Sequence, residues 1–500
     1  MRILALLLAC LVLAAPARAD DWHRAESENY VVHAQMRPEN LRDIVRLMED
    51  FHRLLQTLLP TQTQRQRKAR IWLEEDARKI SELVSLRIGG ISGAKPDMAA
   101  AYVLDDPSRE RHVRHYPLFF SQAHLFIGDA YFRSHAPWVA IGVPAFFKTA
   151  YRGEDEHFIL GAPDVLQREP TRASAKNLAE LILLESWPDR QRAFARANAL
   201  ARATATVLLI DPAFSGRLEA YLASWTAGRS PEAAMAELGD LEALADAIDA
   251  RARERTKALR QVALPPGTEA GIVIRAMTRD EIDLVHPRME RLAETDLERT
   301  ARRLARLAER HRESAATWYE YAATEFARVR DSRNPGSVFR GFGFPNGETL
   351  LVVADSHPDA EAWRAVNRAL ELDPDHPAAR MLKAEILLGR LVRSAQDDEN
   401  EGFEAVRAML APLAREAELH PLAAALHYQS FLEQGIAPPA DAVDLLGRAF
   451  IANPSVGAFR YAYAVALSRA GQRDAARTLL SSMLNAPDYR DAAQRALDAN

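Results

Sequence analysis

The chain has 500 residues, 48% hydrophobic and 27% charged, enough for about two to four domains with sizeable cores, which excludes disorder as a global description. Lysine and arginine number 64 against 69 aspartates and glutamates, a net charge of −5, so no general field draws the chain to nucleic acid.

Residues 1–19, MRILALLLACLVLAAPARA, set Arg2 before an apolar run from Ile3 to Ala15 and end on Ala17-Arg18-Ala19. This is the layout of a signal peptide cleaved after Ala19. Cys10, the only cysteine, lies inside the run, so the mature chain is expected to have no disulfide and no thiolate metal ligand. No later run is read as long enough for a membrane span. The mature protein is expected to be soluble and exported to the periplasm.

Tyr30-Val31-Val32-His33-Ala34 suits a short strand. Pro38 then opens a helix in which Leu41, Ile44, Val45, Met48, Phe51, Leu55 and Leu58 recur at helical spacing, stopped by Pro60. ARIWLEE and MAAAYVLDD supply two further strands, separated by a glycine-rich turn at Gly89, Gly90 and Gly93. A helix beginning near Pro117 follows, and the order defines an α+β module.

On that helix Phe120 and His124 stand four apart, the spacing at which His-Glu-x-x-His puts two zinc ligands on one face. Here the pattern reads Phe-Ser-Gln-Ala-His. Asp21 to about Arg251 resembles the peptidase MA-like, gluzincin-type domain of bacterial envelope proteins that also carry tetratricopeptide repeats. The landmarks are Trp22 with SENYVVHA, the leucine-rich helix, and ISGAKPDMAAAYV. Trp138 to Phe147 resembles the family's Trp-x-x-Glu-Gly-x-Ala-Glu-Tyr-Phe, and His157 to Pro163 its strand-plus-glycine segment. LEAYLASWTAGRSPEAAMAELGDLEALADAIDA resembles its helical tail. The resemblance implies a zincin-like α+β domain over residues 20–260.

Carried over residue by residue, it places the first zinc histidine on Phe120 and the general-base glutamate on Ser121. The second histidine falls on His124 and the third-ligand glutamate on Ile141. A catalytic zinc needs three protein ligands, an open water position and a nearby carboxylate, and one imidazole meets none of these demands. The resemblance therefore implies a degenerate site, with no catalytic or metal-binding residue and no cofactor. Phe120 and Ile141 are expected to fill the old cavity, contributing about 1.5 to 3 kcal/mol each if fully buried. Ser121 is expected to be a small filler. The alternative is a hydrolase with a relocated site. His112, His115, His124 and His135 could rebuild a metal site, although their spacing matches no zinc pattern, and Ser121 precedes His124 by three residues without a glycine elbow.

Residues 261–314 read as a helical linker region. Within it LERTARRLARLAERHRE interleaves Glu298, Glu309 and Glu313 with arginines and sets Leu297, Leu304 and Leu307 on one face, a solvated amphipathic helix rather than a nucleic-acid stripe. Junctions then recur at SHPD, DHPA, LHPL and ANPS. Ala442, Leu446 and Ala449 precede Pro454 at the spacing with which Ala362, Val366 and Ala369 precede Pro374, a small-large-small pattern resembling the tetratricopeptide family. The expected architecture is the zincin-like α+β domain followed by an all-α tetratricopeptide-type solenoid over 315–490. A first helix near Trp318 is separated from a partner near Asp359 by an insertion, 331–358, and the unit from Pro377 to His420 matches poorly. Phe339, Phe342 and Phe344 in the insertion are the candidate partner contacts. The repeat surface is expected to bind a protein or peptide, giving an exported, non-catalytic binding or scaffold protein.

Overall fold

β-Branched, aromatic and alanine residues at alternate positions build the N-terminal part. In the computed structural model they form β1 (Trp22–Glu26), β2 (Tyr30–Gln35), β3 (Ala69–Glu74), β4 (Gly90–Lys95), β5 (Met98–Leu104), β6 (Tyr151–Arg152), β7 (Phe158–Leu160), β8 (Arg260–Val262) and β9 (Val273–Ala276). The structure describes residues 22–59, 67–83, 90–95, 98–131, 136–153, 155, 157–166, 172–185, 187–188, 191–254, 259–264, 271–294, 296–331, 359–394, 400–416, 420–486 and 488–499. The main sheet has the order β4-β5-β3-β2-β1-β9, and β6, β7 and β8 form a small second one. β2, β3 and β5 run parallel, with Tyr30 opposite Ala69 and Ile71 opposite Ala101.

Two readings from the sequence change here. Gly90 and Gly93, expected in a turn, belong to the edge strand β4, whose antiparallel ladder sets Gly93 opposite Ala100. β9, inside the stretch read as linker, pairs with β1, and β8 pairs with β7, so the domain does not end at 260.

The period of two gives the sheet two buried faces. Ala25, Val32, Ala34, Ile71, Leu73, Ala101 and Val103 share one core with α1 (Pro38–Leu58). Trp22, Trp72, Tyr102 and Leu104 share another with Ile80 of α2 (Ala77–Leu83). After the short α3 (Arg111–Arg114) come α4 (Tyr116–Tyr131), α5 (Pro137–Phe147), α6 (Ala175–Ile182), α7 (Gln191–Ile210), α8 (Arg217–Thr226), α9 (Pro231–Ala236) and α10 (Leu241–Arg253). α4 packs on α1, β4 and α5. Phe51 of α1 is the aromatic centre, stacked on Phe119 at 4.2 Å and edge-on to Phe147 at 6.3 Å. The stretch Arg192–Ile210 of α7 is long and apolar enough to cross a membrane, which corrects the reading that no later run is. Its apolarity has a core explanation. Ala201, Ala205, Val207 and Leu208 are buried in the domain interior, and α5 lies against it so closely that a Cβ on Gly142 would sit 2.6 Å from the Ala201 carbonyl oxygen.

The second part is all helical: α11 (Arg279–Leu292), α12 (Leu297–Arg310), α13 (Ala315–Asp331), α14 (Ala360–Leu372), α15 (Pro377–Ser394), α16 (Asn400–Arg415), α17 (Pro421–Glu433), α18 (Ala440–Ala452), α19 (Gly457–Arg469), α20 (Arg473–Ser481) and α21 (Arg490–Asp498). Each packs on the next. Ala362, Val366, Ala369, Ala442, Leu446 and Ala449 are all fully buried, as helices that approach through small residues require. The stretch that matched poorly contains α15 and α16, of 18 and 16 residues, beside neighbours of 13. α12 buries Leu297, Leu304 and Leu307 and keeps its arginines half-buried or exposed.

α11 is a joint rather than a linker, because Val285 and Met289 complete the core on the second face of the sheet. The far end of the array comes back to the domain. Asn485 Nδ2 donates to the carbonyls of Trp225 at 3.2 Å and Arg229 at 2.8 Å, and Arg490 pairs with Glu185 at 3.3 Å.

The helix α4 settles which phenylalanine fills the interior. Phe119 is 1% exposed, whereas Phe120, one step of about 100° further round the helix, is half-buried. Phe119→Ala should therefore cost about 3 to 5 kcal/mol in denaturant melts, and Phe120→Ala less than about 1.5 kcal/mol. Equal losses would show that the two rings share one environment.

Candidate functional site

α4 carries three of the four positions singled out by the zinc-motif spacing. Phe120 and His124 do lie on one face: their rings stack 6.3 Å apart at 20°, and both are half-buried. Ser121 turns inward and is 2% exposed, next to Gln122, whose Nε2 donates to the Met48 carbonyl of α1 at 3.2 Å. Ile141 lies on α5 and is half-buried. The expectation that Phe120 and Ile141 fill the old cavity as buried side chains is thus corrected, since both are half-buried while Phe119 lies in the core, stacked on Phe51. One turn before Ile141, the fully buried Trp138 donates from Nε1 to Tyr221 Oη at 3.1 Å. The glycine after Ile141 is required by the contact of α5 with α7.

These side chains do not fit a zinc ion. One imidazole, an inward hydroxyl and two hydrocarbon groups offer a single donor where three are needed. Among the described residues no group of three or more His, Cys, Asp or Glu could hold a metal ion. His112 lies 3.6 Å from Glu110, and His115 packs beside the Phe119 ring at 5.7 Å. His135, the segment 332–358 with Phe339, Phe342 and Phe344, and residues 1–19 lie outside the described residues.

The helix face of Phe120 and His124 continues to Gly128, where the helical array comes near: a Cβ at Gly128 would stand 3.9 Å from Ser455 Cβ. Ser455 belongs to the turn between α18 and α19, and this turn is buried, with Asn453 3%, Ser455 4% and Val456 4% exposed. Turns between helices ordinarily run over the surface. This one packs its Val456 into the array's own core and brings Ser455 close to Gly128 of α4. The sequence showed ANPS only as a repeat junction, since nothing local in four residues announces a contact with a helix more than three hundred positions earlier.

The strongest electrostatics lie elsewhere, on the second face of the sheet. Glu74 accepts from Tyr102 Oη at 3.0 Å and Lys79 Nζ at 3.2 Å, with His286 Nε2 at 3.5 Å. Burial pushes its carboxyl up, but His286, the backbone and Lys79 outweigh that and hold it at about 2. Glu320 of α13 behaves alike between Arg288 at 2.5 Å and Arg291 at 3.1 Å, burial being overcome by the two guanidinium groups, again to about 2. His33 stacks on Trp72 at 4.9 Å and is driven down to about 3, first by burial and then by Arg288. A carboxylate fixed as an anion and an imidazole fixed as neutral have no proton to exchange near neutrality. Glu74 ties α11 to the sheet through His286, on the face away from α1, and Glu320 ties α13 to α11.

Comparison with family models, with curated proteins and with solved structures found no match. The chain is a largely helical protein with a small mixed sheet in an N-terminal α+β part and an all-helical second part.

The buried imidazoles give stability a definite dependence on pH. His33, His376, His420 and His427 all lie below the ordinary 6.5, chiefly through burial. The unfolded chain takes up protons that the folded one refuses, so their contribution is intact above 6.5 and falls as pH drops below it. Glu74 and Glu320, held at about 2 against an ordinary 4.5, add a further loss only from 4.5 downward. Denaturant melts at stepped pH should show both phases, and His33→Phe should flatten the first. An unchanged slope in that variant would mean His33 is not held neutral.

Proposed function

We propose that the chain is an exported, non-catalytic protein-binding or scaffold protein, in which a degenerate peptidase MA-like, zincin-type module is fused to tetratricopeptide-type repeats. The observation that carries this reading is the side-chain set at Phe120, Ser121, His124 and Ile141, which offers neither three metal ligands nor a carboxylate base. Support for the module comes from a mixed sheet whose antiparallel edge strand β4 lies beside α4, with α5 packed on α4. Support for the repeats comes from consecutive packed helices with fully buried small-large-small positions. A helical array has extended surface for a peptide or protein, and its charge balance disfavours nucleic acid. The leader at 1–19 supports export to the periplasm.

Two measurements test the reading. Elemental analysis of the purified protein should find zinc well below one equivalent, with no metal-dependent cleavage of an unfolded protein substrate; stoichiometric zinc with chelator-sensitive cleavage would overturn it. Photo-crosslinkers placed along 315–490 of the intact chain should trap the partner in envelope extract, and crosslinkers on the N-terminal domain should not. The reverse pattern would move the binding surface to the domain.

A further inference from the structure

We propose that one corner of the N-terminal domain docks on an anionic lipid surface, with Val165, Leu166 and Leu259 entering the headgroup layer and the arginines around them meeting lipid phosphates. This does not depend on the function proposed above.

Six large hydrophobic side chains of the described residues face solvent, and three of them belong to this corner: Val165 is 66%, Leu166 58% and Leu259 47% exposed. Ile436, Ile451 and Val273 lie singly elsewhere. Scattered apolar side chains need no explanation, whereas a group of them marks a contact. The grouping follows from the small sheet. β7 and β8 run antiparallel with Leu160 opposite Arg260, so the loop 161–166 leaves β7 at the same end at which Leu259 enters β8. Arg260 Nη1 donates to the Leu209 carbonyl at 2.9 Å, which brings the half-buried Leu209 and Ile210 at the end of α7 alongside.

The loop is held in place. Gly161, at φ +83°, turns the chain out of β7, and its carbonyl accepts from Arg251 Nη2 at 3.1 Å. The Asp164 side chain is fully buried: one oxygen lies 2.6 Å from Lys148 Nζ, and the other accepts from the Leu166 N–H at 2.9 Å. An ion pair inside the domain thus fixes the backbone beneath two aliphatic side chains that stand in water. Within the chain this exposure gains nothing, since apolar groups stabilise a fold by being buried. Against a lipid surface it forms an apolar tip on a rigid base.

Charge selects the occupant. From Asp249 to Arg260 the sequence has five basic residues against two acidic ones, in a chain of net charge −5. Arg253 and Arg260 are exposed and Arg251 is half-buried. The exposed Arg172 stands near them, because the N–H of Ala173 is bonded to Asp249 of α10 at 2.7 Å. Of the carboxylates here, Asp249 and Asp211 accept backbone N–H groups and Glu254 is exposed. A local basic excess around a few aliphatic groups matches negatively charged headgroups. A folded protein partner would need about 1,000 Å² or more of matched surface, whereas a fluid lipid layer shapes itself to a small tip.

Vesicle flotation tests this. The purified protein should float with vesicles of equal phosphatidylcholine and phosphatidylglycerol, and far less with phosphatidylcholine alone. Val165→Asp with Leu166→Asp should lower the bound fraction about tenfold at an unchanged melting temperature, since both side chains are exposed. A second readout keeps the test decisive if that double variant misfolds. In a Cys10→Ser background, an environment-sensitive dye on Leu166→Cys should shift to the blue on the mixed vesicles, and one on the exposed Ala408→Cys should not. Absence of flotation, or equal flotation of the wild-type and double-variant proteins, would overturn the docking site. Equal binding to the two kinds of vesicle would overturn the role given to the arginines. A concentration-dependent dimer that the double variant abolishes, with no vesicle bound, would assign the corner to a second copy of the chain and overturn the lipid surface.

Discussion

Burial of the sheet on both faces is the constraint on which the rest of the structure depends. Parallel strands such as β2, β3 and β5 are stable only when covered on each side, because their side chains alternate and both sets are apolar. The N-terminal part covers one face itself, with α1. For the other, among the described residues, it has the short α2, and Trp22, Trp72 and Tyr102 share their cluster with Val285 and Met289 of α11. The first helix of the array is thus part of the domain core. Glu74 and Glu320 follow from the same constraint, since charges that cannot avoid burial at a joint must be paired, and each is.

What was legible in the sequence was what local chemistry decides. The apolar face of α1, the strand at Tyr30, and the alanines at 362, 369, 442 and 449 are repeated short-range patterns, and the structure buries them. What escaped depends on distant partners. β9 is a four-residue segment, Val273–Ala276, that opens on two β-branched residues; its positions are mostly exposed, and its place in the sheet comes from pairing with β1 at the other end of the domain. β4 contains two glycines and is held by its ladder with β5 rather than by propensity. The site failed by one residue: spacing put Phe120 in the right relation to His124, but the core lies on the face of Phe119, and periodicity in a helix apolar on most sides does not say which. No periodicity announced Asn485 or the buried turn at Ser455.

The ionisable groups divide the molecule in a way that bears on function. Buried carboxylates with strongly lowered proton affinity, commonly a mark of catalytic sites, here sit at the joint between sheet and array and not on the α4 stripe. Their partners account for them as structural ties. On α4 the Phe120 and His124 rings stack on each other.

The array is held to the N-terminal part by different physics at its two ends. At the joint Trp22, Trp72 and Tyr102 share a buried apolar cluster with Val285 and Met289, so separating them would expose hydrocarbon to water. Near the other end Asn485 donates to the carbonyls of Trp225 and Arg229, and Gly228, at φ +74°, leaves no space for a Cβ against the Ser481 carbonyl oxygen. The first contact depends on the alternation of side chains along the strands, whereas the second depends on backbone groups that any sequence carries, which is why the helix joint leaves a trace in residue pattern and the returning end leaves none but a glycine and an asparagine.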